Sequence, residues 1–329
     1  MSLQKVAVVG VTGAVGEEML RVLEARDYPV GELVPLASKR SAGKTIRFRG
    51  EDVPVRVLDV DAFDGVELAL FSAGASISRE FAPVAVNAGA LVVDNSSAFR
   101  MEAEIPLVVP EVNPAAIDAH NGIIANPNCS TIIMVMALQP IQVLSPIVRV
   151  VVSTYQAASG AGAKGMDALQ RELAGETLDD SPFPYRLAGN LIPRIDDVLE
   201  DGYTKEEMKM ILETRKIMGL PDLSISATCV RVPVARAHSE SIQVTTVRPL
   251  DLDAVRAAID AAPGMQVIDE PRQDRYPTPL FASGSDDVQV GRLRLHPTES
   301  STYDLWVVGD QILKGAALNA IQIAESVFA

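Results

Sequence analysis

The stretch that most limits what this chain can fold into lies at its start. Lys5-Val6-Ala7-Val8-Val9-Gly10 reads as a buried β-strand, and Gly10-Val11-Thr12-Gly13-Ala14-Val15-Gly16 turns out of it. The next residues, to Ala25, place Val15, Met19, Val22 and Leu23 on one helical face. A strand that feeds a helix through glycines points to parallel strands, since parallel neighbours need a crossover connection. Glu32 to Ala37, Val53 to Leu58, Val66 to Phe71 and Leu91 to Val93 read as further strands, with a helix around Phe81 to Ala88. Strands apolar along their whole length indicate a sheet covered on both faces. The expected fold is therefore α/β, beginning with a Rossmann-like, doubly wound parallel sheet.

The same turn suggests what this domain holds. Glycines permit a tight turn and close backbone approach, and the helix start offers free N–H groups to a pyrophosphate. Gly10, Thr12, Gly13, Ala14, Val15 and Gly16 are the expected contacts of a dinucleotide. At the end of the second strand, Leu36-Ala37-Ser38-Lys39-Arg40-Ser41 carries two cations and no acid. An NAD site commonly has a carboxylate there for the ribose 2′-hydroxyl, and a carboxylate would repel a 2′-phosphate. Ser38, Arg40 and Ser41 can instead bond to that phosphate, so NADP is the expected cofactor. The plain alternative is an ordinary βα turn followed by a solvated basic loop.

Beyond Asn128 the pattern changes. Val148 to Tyr155, Leu223 to Val234, Ser241 to Val247 and Thr302 to Val308 are longer β-rich runs. They alternate with helices at Met166 to Leu173, Thr204 to Met218 and Leu252 to Ala261, while Pro182 to Asn190 reads as a loop. Residues 129–310 are thus expected to form an α+β domain on an open, mixed sheet. Gln311 to Val327 reads as a long amphipathic helix, and residues 311–329 are assigned with residues 1–128 to the nucleotide-binding domain.

Charge narrows the partners. With 29 basic and 43 acidic side chains the formal charge is −14, which repels nucleic acid and anionic membranes. The longest apolar runs, such as Thr131 to Leu138, fall well short of the ~18 to 20 residues that span a bilayer. With no targeting signal in view, a cytoplasmic location is expected. Cys129 and Cys229 lie far apart with no second Cys or His at ligand spacing, so neither a disulfide framework nor a metal site is expected.

Cys129 is the candidate nucleophile. Asn126-Pro127-Asn128-Cys129-Ser130-Thr131 precedes the apolar run Ile132 to Leu138, so the sulfur should sit at a helix start. Unpaired N–H groups and the helix dipole there favour thiolate, and the same N–H groups could hold an oxyanion. Cys229, between Thr228 and Val230 in a strand, suits a buried small hydrophobe instead. Of the histidines, His120 lies in a polar turn and His296 in a loop before Pro297. His238, between two strands, can project into a cleft as acid/base partner or serve structurally.

Five segments together resemble the aspartate-semialdehyde dehydrogenase family in its bacterial form, over essentially the whole chain. They are the glycine turn, Asp94-Asn95-Ser96-Ser97-Ala98-Phe99-Arg100, Asn126 to Thr131, Tyr155-Gln156-Ala157-Ala158-Ser159-Gly160-Ala161-Gly162, and Cys229-Val230-Arg231-Val232-Pro233-Val234 continuing to His238. The resemblance implies a homodimer whose second domain carries catalysis and dimerisation. It implies that Cys129, beside Asn128, attacks the acyl phosphate of L-4-aspartyl phosphate, releasing phosphate and leaving a thioester. NADPH then reduces this to L-aspartate 4-semialdehyde. It further implies His238 as acid/base and Gln156 in placing the substrate at the cysteine. Arg231 would hold the α-carboxylate, Arg100 and Lys209 the phosphate, and Glu207 the ammonium group. Ser159, Gly160 and Gln311 would touch the cofactor, Gln311 standing where many relatives carry Asn.

Two rivals remain at this level. An N-acetyl-glutamyl-phosphate reductase shares the nucleotide domain and the cysteine, though Ser130-Thr131 is not the Tyr-Pro-Thr-type continuation expected there. A non-catalytic NADP-sensing protein could keep the same fold.

Overall fold

The computed structural model describes residues 3–328. These form two compact units: residues up to Asn128 together with the C-terminal segment from Ala316, and Cys129–Gly315.

The first unit contains β1 (Gln4–Val9), α1 (Ala14–Ala25), β2 (Val30–Ala37), β3 (Thr45–Phe48), β4 (Glu51–Pro54), β5 (Arg56–Val57), β6 (Leu68–Phe71), α2 (Ala75–Asn87), β7 (Leu91–Asp94) and β8 (Ile123–Ala125). A six-stranded parallel sheet runs in the order β5-β2-β1-β6-β7-β8. The chain leaves β1 towards β2 and later resumes on its other side at β6. Strand order therefore reverses beside β1, and the crevice beyond its C-terminal end is where such sheets bind ligands. Ala7, Val9, Val34, Leu36, Ala69, Phe71 and Val92 are buried in one core cluster, as strands covered on both faces require.

Two details depart from the sequence reading. The run Val53 to Leu58 is not one strand: β4 pairs back on β3 as a hairpin, and only Arg56 and Val57 join the parallel sheet. Pro54, which has no N–H, ends the hairpin strand there. The helix expected around Phe81 begins six residues earlier, at Ala75, and carries Pro83 within it.

The second unit contains α3 (Cys129–Leu144), β9 (Ile147–Gln156), α4 (Gly162–Leu173), α5 (Lys205–Met218), β10 (Ser224–Arg231), β11 (His238–Thr246), α6 (Leu252–Asp260), β12 (Met265–Val267), α7 (Pro279–Ala282), β13 (Val288–Leu295) and β14 (Thr302–Gly309). Its sheet is mixed, in the order β10-β9-β11-β14-β13-β12, with β10/β9 and β12/β13 parallel and the other pairs antiparallel. β12 and β13 were not anticipated, although Val288, Val290, Leu293 and Leu295 carry an apolar pattern interrupted by a register shift after Gly291. Helix α3 packs on β9, β11, β13 and β14 and is buried without a break from Ser130 to Leu138, which explains an apolar sequence with no polar stripe. On the other face Val151, Ser153, Tyr155, Ser241, Gln243 and Trp306 are half-buried, and the rings of Tyr155 and Trp306 meet at 5.4 Å.

The final helix also differs from expectation. A π-helical turn, Leu313–Ala317, precedes α8 (Leu318–Phe328). Helix α8 packs against α1 and β7, and Arg26 pairs with Glu325 at 2.7 Å.

Candidate active site

Three strand ends set the site in the second unit. β9 and β10 run parallel and finish level, with Gln156 paired to Arg231. β11 runs the other way and starts at that end, with Ser239 opposite Tyr155 and His238 opposite Gly309. Side chains alternate along a strand, so Arg231, Gln156 and His238 lie side by side on the helix-covered face. All three are buried. Helix α3 lies over this face and begins with Cys129. Its close seating is visible at two glycines: a Cβ on Gly315 would meet Cys129 Cβ at 3.0 Å, and one on Gly309 would meet Ile133 Cγ1 at 2.8 Å.

Cys129 is half-buried at the helix start, where N–H groups and the dipole favour its thiolate. Arg231 is within electrostatic reach of it. Burial lowers the Arg231 pKa, and the charges of Cys129 and Glu206 oppose that shift. The guanidinium Nη1 donates to Ala157 O at 2.6 Å, and the Phe183 ring centre lies 6.0 Å from it. Cys229, by contrast, is sealed in the sheet, and burial pushes its thiol pKa far upward.

His238 has a defined tautomer. Its Nδ1 accepts the Ala157 N–H at 3.1 Å, so the neutral ring carries its proton on Nε2, which has no hydrogen-bond partner of its own. Burial first, and then Arg231, hold its pKa well below the ordinary histidine value. The residue before it, Ala237, adopts φ +69°, where a side chain is strained. Gln311 braces that backbone: its Oε1 accepts the Ala237 N–H at 2.8 Å, and its Nε2 donates to Ser159 Oγ. Gln311, expected to touch the cofactor, is thus bonded to Ser159, another of the expected cofactor contacts. Gly160 lies against Arg231 and His238, and a Cβ there would stand 2.6 Å from Arg231 Nη1 and 3.3 Å from the His238 ring.

Gln156 Nε2 donates to Thr154 Oγ1 at 3.2 Å and to Glu206 Oε1 at 3.3 Å. Glu206 was not anticipated. It continues through Lys209 Nζ at 3.1 Å to Asp196 at 2.8 Å. Burial acts to lower the Lys209 pKa, but Glu206 and Asp196 outweigh it and raise it. Lys209 is thus charged and clamped between two acids. Glu207, the residue expected in the site, is turned away. Its Oε2 accepts the Thr204 N–H at 2.7 Å in a capping box, and its Oε1 accepts the Cys229 N–H at 3.0 Å. The signal was available: Thr204 followed three residues later by Glu207 is the capping-box pattern, which spends the second of two adjacent acids on the helix start.

The first unit carries its own part. A crevice of about 360 Å³ is lined by Gly10, Thr12, Gly13, Ser38, Arg40 and Ser41, as the sequence suggests, and by a loop it missed, Ser72-Ala73 with Ile77. Gly10 has φ +86°, and a Cβ there would come within 3.0 Å of Ser72 and Ala73 backbone atoms. Ala14, Val15 and Gly16 do not line the crevice; Gly16 instead lets α1 close on Gly10 O and Val11 Cα. A glycine cradle with a cation and no carboxylate among its lining residues fits a phosphate-bearing dinucleotide. Arg100 is buried in this unit, with Nε donating to Asn126 O at 3.0 Å and Nη2 to Asn95 O at 2.9 Å. Asn126 and its neighbour Asn128 are buried as well. Among the described residues no group of three or more His, Cys, Asp or Glu is placed to hold a metal, and no helix is long and apolar enough to cross a membrane.

Comparison with known proteins agrees with this fold. Residues 5–120 match the family model for the semialdehyde dehydrogenase NAD-binding domain, and residues 138–314 that for the semialdehyde dehydrogenase dimerisation domain. An aspartate-semialdehyde dehydrogenase from a Synechocystis species is 50% identical, covering 98% of this chain and 96% of that protein. The crystal structure of aspartate semialdehyde dehydrogenase II from Vibrio cholerae complexed with ASA superposes with a TM-score of 0.94 at 46% identity, covering 100% of this chain and 99% of the other. The Candida albicans enzyme, solved with NADP, reaches 0.78 at 25% identity and covers 100% of this chain and 99% of its own.

Proposed function

The chain belongs to the aspartate-semialdehyde dehydrogenase family, and on that premise we propose that it reductively dephosphorylates L-4-aspartyl phosphate to L-aspartate 4-semialdehyde through a thioester on Cys129. The reaction is reversible and serves the aspartate family of amino acids: lysine, threonine, methionine and diaminopimelate. The observation that carries this reading is the level ending of β9 and β10 beside the start of β11. It sets Arg231, Gln156 and His238 in one row on the face that α3 covers.

Cys129 attacks the acyl carbon as thiolate, the carbon–sulfur bond forms, and the carbon–oxygen bond to phosphate breaks. Lys209 and Arg100 hold the departing phosphate. Arg231 takes the α-carboxylate with the edge of its fork not bonded to Ala157, as planar guanidinium geometry suits. Glu206 replaces Glu207 as partner of the ammonium group, because its carboxylate faces Gln156 while that of Glu207 caps the helix. Gln156 is tied to Thr154 and Glu206 and so keeps its amide in place at the acyl group. His238 donates its Nε2–H to the oxygen that gains negative charge, while the Ala157 N–H holds the ring orientation.

The glycine cradle, Thr12, Ser38, Arg40 and Ser41 hold the cofactor, which we assign as NADP because a cation and hydroxyls, and no acid, line the ribose end of the crevice. When bound, the reduced nicotinamide supplies the hydride that takes the thioester to the aldehyde level. Ser159 and Gly160 are further expected cofactor contacts. The second unit pairs two copies into a homodimer, and the half-buried face around Tyr155 and Trp306 is the surface for it. The cytoplasm, expected from the sequence, goes with this reading.

The test is phosphate-dependent oxidation of L-aspartate 4-semialdehyde, followed as NADPH formation and repeated with NAD. NADP should be strongly preferred, and Cys129→Ala should bind NADPH yet show no turnover. Turnover in that variant would remove the thioester. A wild type that ignored the semialdehyde but acted on N-acetylglutamyl phosphate would place the chain with the rival reductases.

A further inference from the structure

Beside Arg231 lies a cavity of about 470 Å³ whose lining includes Ala161, Ser181, Phe183, Arg194 and Asp196. Phe183 is the aromatic side chain in that lining, and no motif in the sequence draws attention to it. It sits in the irregular segment between α4 and α5, which is far longer than an ordinary helix–helix connection. Segments of that length are commonly functional when they are ordered.

Here the order has visible causes. Before the segment, the buried carboxylate of Glu172 accepts the Leu187 N–H at 2.7 Å and the Ala188 N–H at 2.9 Å, and Arg186 Nη2 donates to Glu172 O at 2.6 Å. Further along the segment, Ile192 and Arg231 exchange two backbone hydrogen bonds, at 3.0 and 2.8 Å. Within the loop that Glu172 closes in this way, Phe183 packs on Ala158, Leu169, Leu187 and Ile192. The ring is therefore held in place, and what it faces is the Arg231 guanidinium, 6.0 Å from the ring centre.

Arg231 is thus bounded by three protein groups: the Ala157 carbonyl, the Gly160 backbone and the Phe183 ring. A buried guanidinium with one bonded Nη has other rotamers open to it unless something closes them. An aromatic face does so while contributing attraction to the cation, an effect that grows as water is excluded. We propose that Phe183 is a positioning residue for the substrate α-carboxylate, its ring capping Arg231 so that the guanidinium fork stays aimed into the cavity. This rests on the assignment of Arg231 to the carboxylate.

Phe183→Leu keeps an apolar side chain of similar bulk and removes the ring, whereas Phe183→Tyr keeps the ring. In the semialdehyde oxidation assay, Phe183→Leu should raise KM for the semialdehyde about tenfold. Its kcat, its KM for NADP and its melting temperature should stay close to wild type, and Phe183→Tyr should restore the wild-type KM. An unchanged KM in Phe183→Leu overturns the proposal, as does a loss confined to kcat or a Tyr variant as impaired as the Leu variant. The wild-type control separates this from the broader reading: without semialdehyde turnover there, it is the assigned reaction that fails.

Discussion

The carboxylates of Glu206 and Glu207, neighbours in the first turn of α5, are divided between the site and the helix cap. Glu206 bonds to Gln156 and Lys209, while Glu207 closes the capping box with Thr204 and holds the Cys229 N–H. Successive helical residues point roughly 100° apart, so both cannot face the same cavity. Two acids that look interchangeable in the sequence therefore do different work.

Their variants should separate accordingly. Glu206→Gln is expected to raise KM for the semialdehyde at least about tenfold, since the ammonium group loses its charge partner. Glu207→Ala should instead lower stability by roughly 1 to 2 kcal/mol through the lost cap and the orphaned Cys229 N–H, with KM near wild type. Chemical denaturation alongside steady-state kinetics checks both. The reverse pattern would return Glu207 to the substrate.

Gly160→Ala tests how tightly the site is packed. The added methyl would lie 2.6 Å from Arg231 Nη1, which cannot retreat without losing Ala157 O, and 3.3 Å from His238. We expect a loss in kcat/KM of at least about tenfold with the melting temperature little changed, because misplaced groups cost rate more than stability. An alanine variant with wild-type kcat/KM would show that the cluster has slack.

His238 should stay neutral through the range where histidines usually titrate. Burial and Arg231 lower its pKa well below 6.5, so protonation begins only at more acid pH. A profile of kcat/KM from pH 8 down to 6 should therefore show no histidine inflection. An inflection near 6.5 that disappears in His238→Gln would contradict the Nε2–H, hydrogen-bond-donor role. For stability the sign is the same: the unfolded chain binds this proton more readily, so acidification through 6.5 favours unfolding.

Glu240 carries an opposite dependence. It lies on β11 opposite Thr154, fully buried, with neither carboxyl oxygen hydrogen-bonded, and burial raises its pKa well above the ordinary carboxylate value. In the folded protein it keeps its proton at pH values where the unfolded chain has released it. The folded state is favoured below about 4.5 in this respect, and that advantage falls as pH rises towards the folded pKa. Melting curves of wild type and Glu240→Gln at several pH values between 4.5 and 8 should show the variant gaining relative stability as pH increases. A pH-independent difference would mean that Glu240 is ionised in the fold.

Much of the site was legible because it is written in contiguous residues. The turn from Gly10 to Gly16, the acid-free end of β2 at Ser38 to Ser41, and Cys129 before an apolar helix each state their role within a few positions. Local geometry suffices there: a turn, a strand end and a helix start follow from their own residues. The capping box at Thr204 and Glu207 was equally local and could have been read. Other features had no local signature. Ser72, Ala73 and Ile77 enter the crevice only because β6 lies beside β1. Gln311 is a brace because of where Ala237 and Ser159 stand.

From the sequence came the α/β class, the expectation of a dinucleotide cradle and of a thiol nucleophile, and, through the resemblance of five segments, the family. What the folded chain decided was which side chains meet. Arg231, Gln156 and His238 adjoin through the register of three strands, Glu206 joins them from a separate helix, and Phe183 reaches Arg231 from a loop closed by Glu172. Such meetings depend on pairing between distant segments and on side-chain direction about a helix axis. Both are set by packing, hydrogen bonds and burial across the whole unit, and no short stretch of sequence contains them.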